Sequence, residues 1–520
     1  MQAFGRSLAR SLSTVLSKPA GRNAQFSIAN PRLPNPSGNW HGTSLQRRFL
    51  CGLRNGSAPT TKDFSLSKIL SNFRKPSRTF VTFAGKPIQP RFFSSNATFE
   101  AAAALARDVP VLASPGVGRW LLLCSVLVYG VIVVGGVTRL TESGLSITEW
   151  RPITGILPPL GEDEWEAEFT KYKATPEYKL LNSSITLSDF KRIFFMEWGH
   201  RVLGRVVGIA FVAPLAYYAM RKKLTPGLTP RFMGMAVLIG LQGLLGWYMV
   251  KSGLEQSIMD TPGAVPRVSQ YRLAAHYGTA VVLYAGMFGT GLAILHDWRF
   301  AKGGVWNKMK DANFERILSN PIVKRFRGFT WALSSLVFLT ALSGAFVAGL
   351  DAGLVYNEFP FMGGRLVPPR NELVNPAYAT ALDKSDILWR NLLENPTTVQ
   401  FDHRVLAMTT YASTAALYAS TLLPSVRATL PALTRRLAVG AFAMANAQVL
   451  LGIGTLLYLV PVPLAAAHQA GSIALLTVVL QLALTLRRPG MVAQVWRLRM
   501  RSAVPSSGNA PLPPSSVKGT

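Results

Sequence analysis

Four histidines, His200, His276, His403 and His468, lie within the first few residues of long apolar runs. An ionisable side chain inside a membrane helix is rare and marks a functional position. Counted from the N-terminus, every one of these runs is even-numbered. Consecutive membrane helices alternate direction, so the starts of all even-numbered helices lie on one side. The four imidazoles therefore share one leaflet, with none expected in the other. A neutral imidazole offers one lone pair to an iron, and two facing imidazoles fill both axial positions of a haem. Four at one depth predict two bis-histidine haem sites, His200 with His276 and His403 with His468.

The residues around the ligands add chemistry. Glu197 precedes His200 by three positions, on the same helical face. The residue three before His403 is Gln400. A carboxylate beside a metal ligand takes up a proton or positions water, which an amide cannot do as a base. One chemically active site and one electron-transfer or structural site are expected. Arg201 and Arg404 follow their histidines directly and are candidates to pair with haem propionates at the membrane edge. Gly199, Gly204, Gly208, Ala274, Ala275, Ala466 and Ala467 are small enough to let a flat macrocycle approach the backbone; close helix packing favours the same residues.

These side chains need membrane helices to hold them. Of 520 residues, 49% are hydrophobic and 15% charged, which excludes an ordinary soluble protein. Apolar runs near 120–138, 198–220, 232–250, 272–295, 329–350, 404–423, 436–460 and 463–486 are long enough to span a bilayer. The fold class predicted is an all-α polytopic membrane protein with eight transmembrane helices. The net charge of +30 lies in the N-terminal segment and in alternate loops, a topology signal and not a nucleic-acid-binding face. Loop 221–231 carries Arg221, Lys222, Lys223 and Arg231, and loop 296–328 carries eight basic residues against three acids. Residues 142–196 are slightly acidic. Both termini then face the matrix and the histidine ends face the intermembrane space.

Residues 1–93 contain 15 Lys or Arg, one acid (Asp63) and many Ser, Asn and Pro. Arg-rich, Ser-rich, acid-poor composition is that of a mitochondrial transit peptide, and Arg91-Phe92-Phe93-Ser94 resembles a matrix processing site. Of the two cysteines, Cys51 falls in that segment and Cys124 in the first span, so no disulfide or cysteine metal site is expected in the mature chain.

The two halves repeat one another. Glu142-Ser143-Gly144-Leu145 with Glu149-Trp150 matches Asp351-Ala352-Gly353-Leu354 with Glu358-Phe359, and Pro158-Pro159 matches Pro368-Pro369. His200-Arg201-Val202-Leu203 matches His403-Arg404-Val405-Leu406. Gln242 with Leu244-Leu245-Gly246 matches Gln448 with Leu450-Leu451-Gly452, and Ala274-Ala275-His276 matches Ala466-Ala467-His468. This predicts two tandem four-helix bundles related by parallel duplication. The expected domains are the transit peptide (1–93), a matrix segment (94–118), an N-terminal half (119–310), a C-terminal half (311–486) and a disordered basic matrix tail (487–520).

The run from Gly136 to Ser146, with Glu197 to Arg201, Ala275-His276, Phe401 to Arg404 and Ala467-His468, resembles the haem A synthase family in its mitochondrial form, over about residues 115–486. The resemblance implies an inner-membrane oxidoreductase that oxidises the C8 methyl of haem O to a formyl group, through a hydroxymethyl and a geminal diol. It implies that His200 and His276 flank substrate haem O, that His403 and His468 ligate haem b, and that Glu197 is the catalytic carboxylate. It also implies haem O synthase (a farnesyltransferase) upstream, a ferredoxin and ferredoxin reductase as electron-transfer partners, and cytochrome c oxidase assembly factors. Many bacterial members carry a cysteine pair in the first extracytoplasmic loop, and this chain has none there. Two readings from other classes stand beside it: a dihaem electron-transfer subunit, and a haem chaperone or assembly scaffold. Small-residue helix faces also permit homo-oligomers.

Overall fold

The computed structural model describes residues 110–502, apart from 153, 154, 156, 261–264, 308 and 310–313. The expected transit peptide, Cys51 included, lies outside the described residues. All regular structure among the described residues is helical. Eight long helices carry it: α1 (Pro115–Leu140), α2 (Leu187–Met220), α3 (Thr229–Gly253), α4 (Gln270–Ala301), α5 (Pro321–Gly349), α6 (Pro396–Ser420), α7 (Ala432–Leu457) and α8 (Val462–Thr485). Even α8, the shortest at 24 residues, rises about 36 Å at 1.5 Å per residue, more than the hydrocarbon core of about 30 Å.

Local sequence explains where they begin. Proline within the first two positions opens α1, α3, α5, α6 and α8, where its missing N–H leaves nothing unpaired. Asn320 and Asn395 cap α5 and α6 by accepting from the Ile322 and Thr397 amides. Thr186 and Asp189 form a capping box ahead of α2.

Seven of the eight are long and apolar enough to cross a membrane. The exception is α6. Gln400, Asp402, His403, Arg404 and five threonines lower its apolarity without shortening it. The side chains that make this run chemically interesting are those that weaken it as a lipid span.

Each group of four packs in the same cyclic order. Helix α1 contacts α2 and α4, and α3 contacts α2 and α4; α5 contacts α6 and α8, and α7 contacts α6 and α8. In each ring the second and fourth helices are diagonal partners. The rings meet along α1, α4, α5 and α8, around buried Met287, Leu475, Leu476 and Val479. Outside, α2 and α3 expose Val206, Ile209, Val212, Met233 and Val237, side chains suited to lipid. Glu142 and Asp351, placed at matching positions by sequence, both stand at φ 51° just past α1 and α5.

Two expectations are corrected. Residues 487–502, taken for part of a disordered tail, include a helix Met491–Ser502. Its buried Ala493 joins the core, and the Trp496 indole donates to the Pro110 carbonyl. Basic composition masked the apolar side of this helix. Nor are histidines confined to one end: α4 runs on to Ala301, so it includes His296 at its far end, edge-on to Trp306.

Helix α2, at 34 residues, rises about 51 Å and outruns the bilayer. Its start joins Glu162–Lys173 and Pro176–Leu180 in a cap whose aromatic core is Trp165, Phe169, Tyr172, Phe190 and Phe194.

Candidate functional site

The four histidines fall on α2, α4, α6 and α8, the diagonal helices of the two rings. The expected pairs thus fall one to each ring, His200 with His276 and His403 with His468.

Each ring lies against a glycine on a neighbouring odd-numbered helix. A Cβ on Gly135 of α1 would stand 2.7 Å from His200 Cε1, and one on Gly246 of α3 would stand 3.4 Å from His276 Cε1. A Cβ on Gly344 of α5 would be 3.3 Å from His403 Cε1, and one on Gly452 of α7 would be 3.0 Å from His468 Cε1. These glycines let the imidazole planes lie on the helix backbone, which fixes their orientation. None was singled out as a site residue from sequence. The signal was present: Gly246 and Gly452 occupy matching repeat positions, and Gly135 and Gly344 align in the register set by Glu142 and Asp351. The small residues that were singled out behave differently. A Cβ on Gly199 or Gly204 would meet no atom within 4 Å.

The second ring nitrogen separates the histidines. Ser343 Oγ lies 2.7 Å from His403 Nδ1. The Gln242 amide, oriented to donate, reaches His276 Nδ1 at 3.0 Å. His200 and His468 have no such side-chain partner, and their rings face the backbone at Val131 and Gln448 instead. Val134 stands where Ser343 would be in the first half, so His200 lacks the hydroxyl that holds His403. Paired imidazoles on diagonal helices fit a metalloporphyrin with two axial ligands.

Glu197 is 3% exposed and fully engaged. Its Oε2 accepts from Ser146 Oγ at 2.7 Å and from the Ile147 amide at 2.8 Å. Its Oε1 accepts from Arg201 Nε at 3.0 Å and Nη2 at 2.6 Å. Arg201 also donates to the Glu149 and Ile147 carbonyls. In the second half the polarity reverses. Gln400 Nε2 donates to the Tyr356 carbonyl at 3.0 Å, as does Arg404 Nη2. Tyr356 is the counterpart of Ile147, and Val355 replaces Ser146. Both arginines therefore tie the post-α1 and post-α5 loops to the histidine-bearing helices. A cleft of about 470 Å³ opens along α2 beside Val134 of α1, lined by Arg192, Phe195, Met196, Trp198, Gly199, Val202 and Leu203.

The close glycine contacts carry an expected outcome. Gly135→Ala leaves no room for the His200 ring, and overpacking of this kind costs about 1–3 kcal/mol. A haem held between His200 and His276 would bind more weakly, and one held between His403 and His468 would not. Titration of haem into detergent-purified protein checks it, and unchanged affinity at the first pair overturns the role given to Gly135.

Fold and site define a multi-pass helical membrane protein with two diagonal histidine pairs. The sequence matches the COX15-CtaA family, described as cytochrome oxidase assembly protein, over residues 118–480, and the chain belongs to that family. It is 48% identical over 376 residues to "Heme A synthase COX15" of Saccharomyces cerevisiae, covering 72% of this chain and 76% of that one. It is 45% identical over 401 residues to the "Heme A synthase-mitochondrial ferredoxin fusion protein" of Schizosaccharomyces pombe, covering 76% of this chain and 64% of the fusion. To "Heme A synthase" of Nitrosospira multiformis it is 42% identical over 369 residues, covering 71% and 93%.

Proposed function

We propose that this chain converts haem O to haem A, oxidising the C8 methyl to a formyl group, as a multi-pass protein of the mitochondrial inner membrane. The observation that carries the reading is the difference between two otherwise matching histidine pairs. One has a buried carboxylate on its ligand's helical face, and the other has an amide. Relatives named for haem A synthesis support the same reading.

His200 and His276 would flank substrate haem O. His403 and His468 would hold a resident haem b, whose chemistry is one-electron transfer. Each pair has one imidazole held through its other nitrogen, His276 by Gln242 and His403 by Ser343, so the division between the sites rests on Glu197 against Gln400. Glu197 presents a fixed negative charge one helical turn from His200, where it stabilises positive charge developing on the methyl carbon. Eight spans, two duplicated bundles and matrix-facing termini complete the proposal, supported by the common cyclic packing and the basic alternate loops. A ferredoxin-type electron carrier is the proposed partner, on the strength of the fused relative.

Haems extracted from the purified protein test the reading. Haem b together with haem O, its hydroxylated form or haem A supports it. Haem b alone, in two copies, makes the chain an electron-transfer subunit instead. For the topology, a C-terminal tag stays protected when mitoplasts are treated with protease; digestion reverses the orientation.

A further inference from the structure

We infer that Gln469, its amide seated against Gly136, is a positioning residue that sets the two histidine pairs against each other, an inference that rests on the haem-binding reading above. Gln469 directly follows His468 on α8, and Gly136 directly follows Gly135 on α1. The Gln469 Nε2 donates to the Ile132 carbonyl at 3.2 Å. Its Oε1 fills the space where a Cβ on Gly136 would stand. Ile132 lies one turn before Gly136, so the whole amide rests on one face of α1. At the next residue of α8, Tyr129 Oη donates to the Ala470 carbonyl at 3.1 Å. The second half is thereby tied to the first beside both histidine sites.

Adjacent positions on a helix point about 100° apart. Gly135 therefore turns one face of α1 to His200, and Gly136 turns another to α8. On α8, likewise, His468 lies against Gly452 of α7 while Gln469 lies against α1. His200, Gly135, Gly136, Gln469 and His468 form an unbroken series of contacts and chain neighbours. Repetition of the two halves does not account for it. In the register that matches Gly135 with Gly344 and His276 with His468, Ala345 stands in place of Gly136 and Tyr277 in place of Gln469. Helix packing inherited from the duplication would supply the same pair in both halves. An amide in a membrane helix is costly unless it is satisfied, and this one is satisfied by the other half. The bond to Ile132 and the notch at Gly136 together fix α8 along and around its axis, and with it the direction of the His468 ring. Ring orientation in turn tunes an axial imidazole as a ligand.

Gly136→Ala, Gln469→Ala and the double variant, each as purified full-length protein, test this. A methyl group at 136 displaces the amide, the flexible end of a side chain, and leaves the helix in place, so both single variants break the same contact. Electron paramagnetic resonance of the oxidised haem held between His403 and His468 reports the angle between the imidazole planes. Its g values shift in each single variant and shift no further in the double, because residues in contact are not additive whereas independent ones are. Haem b stays bound, and haem A formation falls by up to about 10²-fold, the loss that a misplacement of about 1 Å can cause. An unmoved second-pair spectrum in Gly136→Ala overturns the proposal, even where thermal stability drops, since the contact is then packing alone. Effects that add in the double variant overturn it too. Should Gly136→Ala fail to accumulate, the double variant decides: recovered folded protein assigns the clash to Gln469 and supports the proposal, and no recovery overturns it. A wild type without haem at either pair defeats the haem-binding reading instead, and thermal unfolding of the same variants still decides whether Gly136 and Gln469 act as one contact.

Discussion

His403→Ala and His468→Ala each yield a protein without stably bound haem b, while His200→Ala and His276→Ala keep the haem b spectrum and form no haem A. The four histidines share the same glycine backing, so the division comes from what surrounds them. In the second half Ser343 holds His403, and the side chains next to the ligand, Gln400 and Arg404, are spent on the Tyr356 carbonyl. The amide at 400 is no base, and the site is expected to hold its haem. Removing one imidazole leaves the iron a single axial ligand from the protein. Loss of an outer partner typically weakens a metal site about 10–100-fold, so Ser343→Val produces a milder version of the same defect. With the substrate porphyrin in the first half, as proposed, losing either ligand would abolish turnover without touching the resident haem. Redox difference spectra and chromatography of extracted haems read both effects. Equal loss of haem b in all four variants would sink the division of labour.

Much of this was legible in the sequence because lipid makes polar residues conspicuous. The histidine pairs, the Glu197/Gln400 contrast and the positions of all eight long helices follow from apolar runs and their interruptions. The interruptions also explain the one departure among the spans. The polar residues that flag α6 keep it below the apolarity of the other seven. What escaped was of two kinds. Gly135, Gly246, Gly344 and Gly452 carry no chemistry of their own, and their role appears only when a ring on another helix is set against them. Charge matches Arg201 and Arg404 to propionates, yet carbonyls in the loops after α1 and α5 lie within their reach. Loop backbone at a helix end is an acceptor that sequence spacing does not display. Met491–Ser502 was hidden similarly, since its basic residues outweigh in composition the few apolar ones that dock it.

Glu197→Gln is expected to stop haem A formation while leaving the protein inserted and haem b bound. The second half already contains the result of this substitution: Gln400 sits one turn from His403, donates to the Tyr356 carbonyl and coexists with Arg404. Glutamine at 197 can do the same toward the Ile147 carbonyl, which Arg201 also bonds. Arg201 keeps the Ile147 and Glu149 carbonyls when its carboxylate partner goes, so the loop stays tethered. The Ser146 hydroxyl and the Ile147 amide lose a charged acceptor, at about 1.5–3 kcal/mol for a hydrogen bond to a charged group. Removing a buried charge partly offsets that loss. What does not survive is the negative charge beside His200 and the proton it can accept. A positioned acid–base group contributes about 10²–10⁴-fold, so haem O or its hydroxymethyl form accumulates and haem A becomes scarce. Glu197→Asp, which retains the charge on a shorter arm, recovers part of the activity if charge is what matters. Near-normal haem A from Glu197→Gln at normal protein abundance would reduce the carboxylate to a loop anchor for Ser146, Ile147 and Arg201.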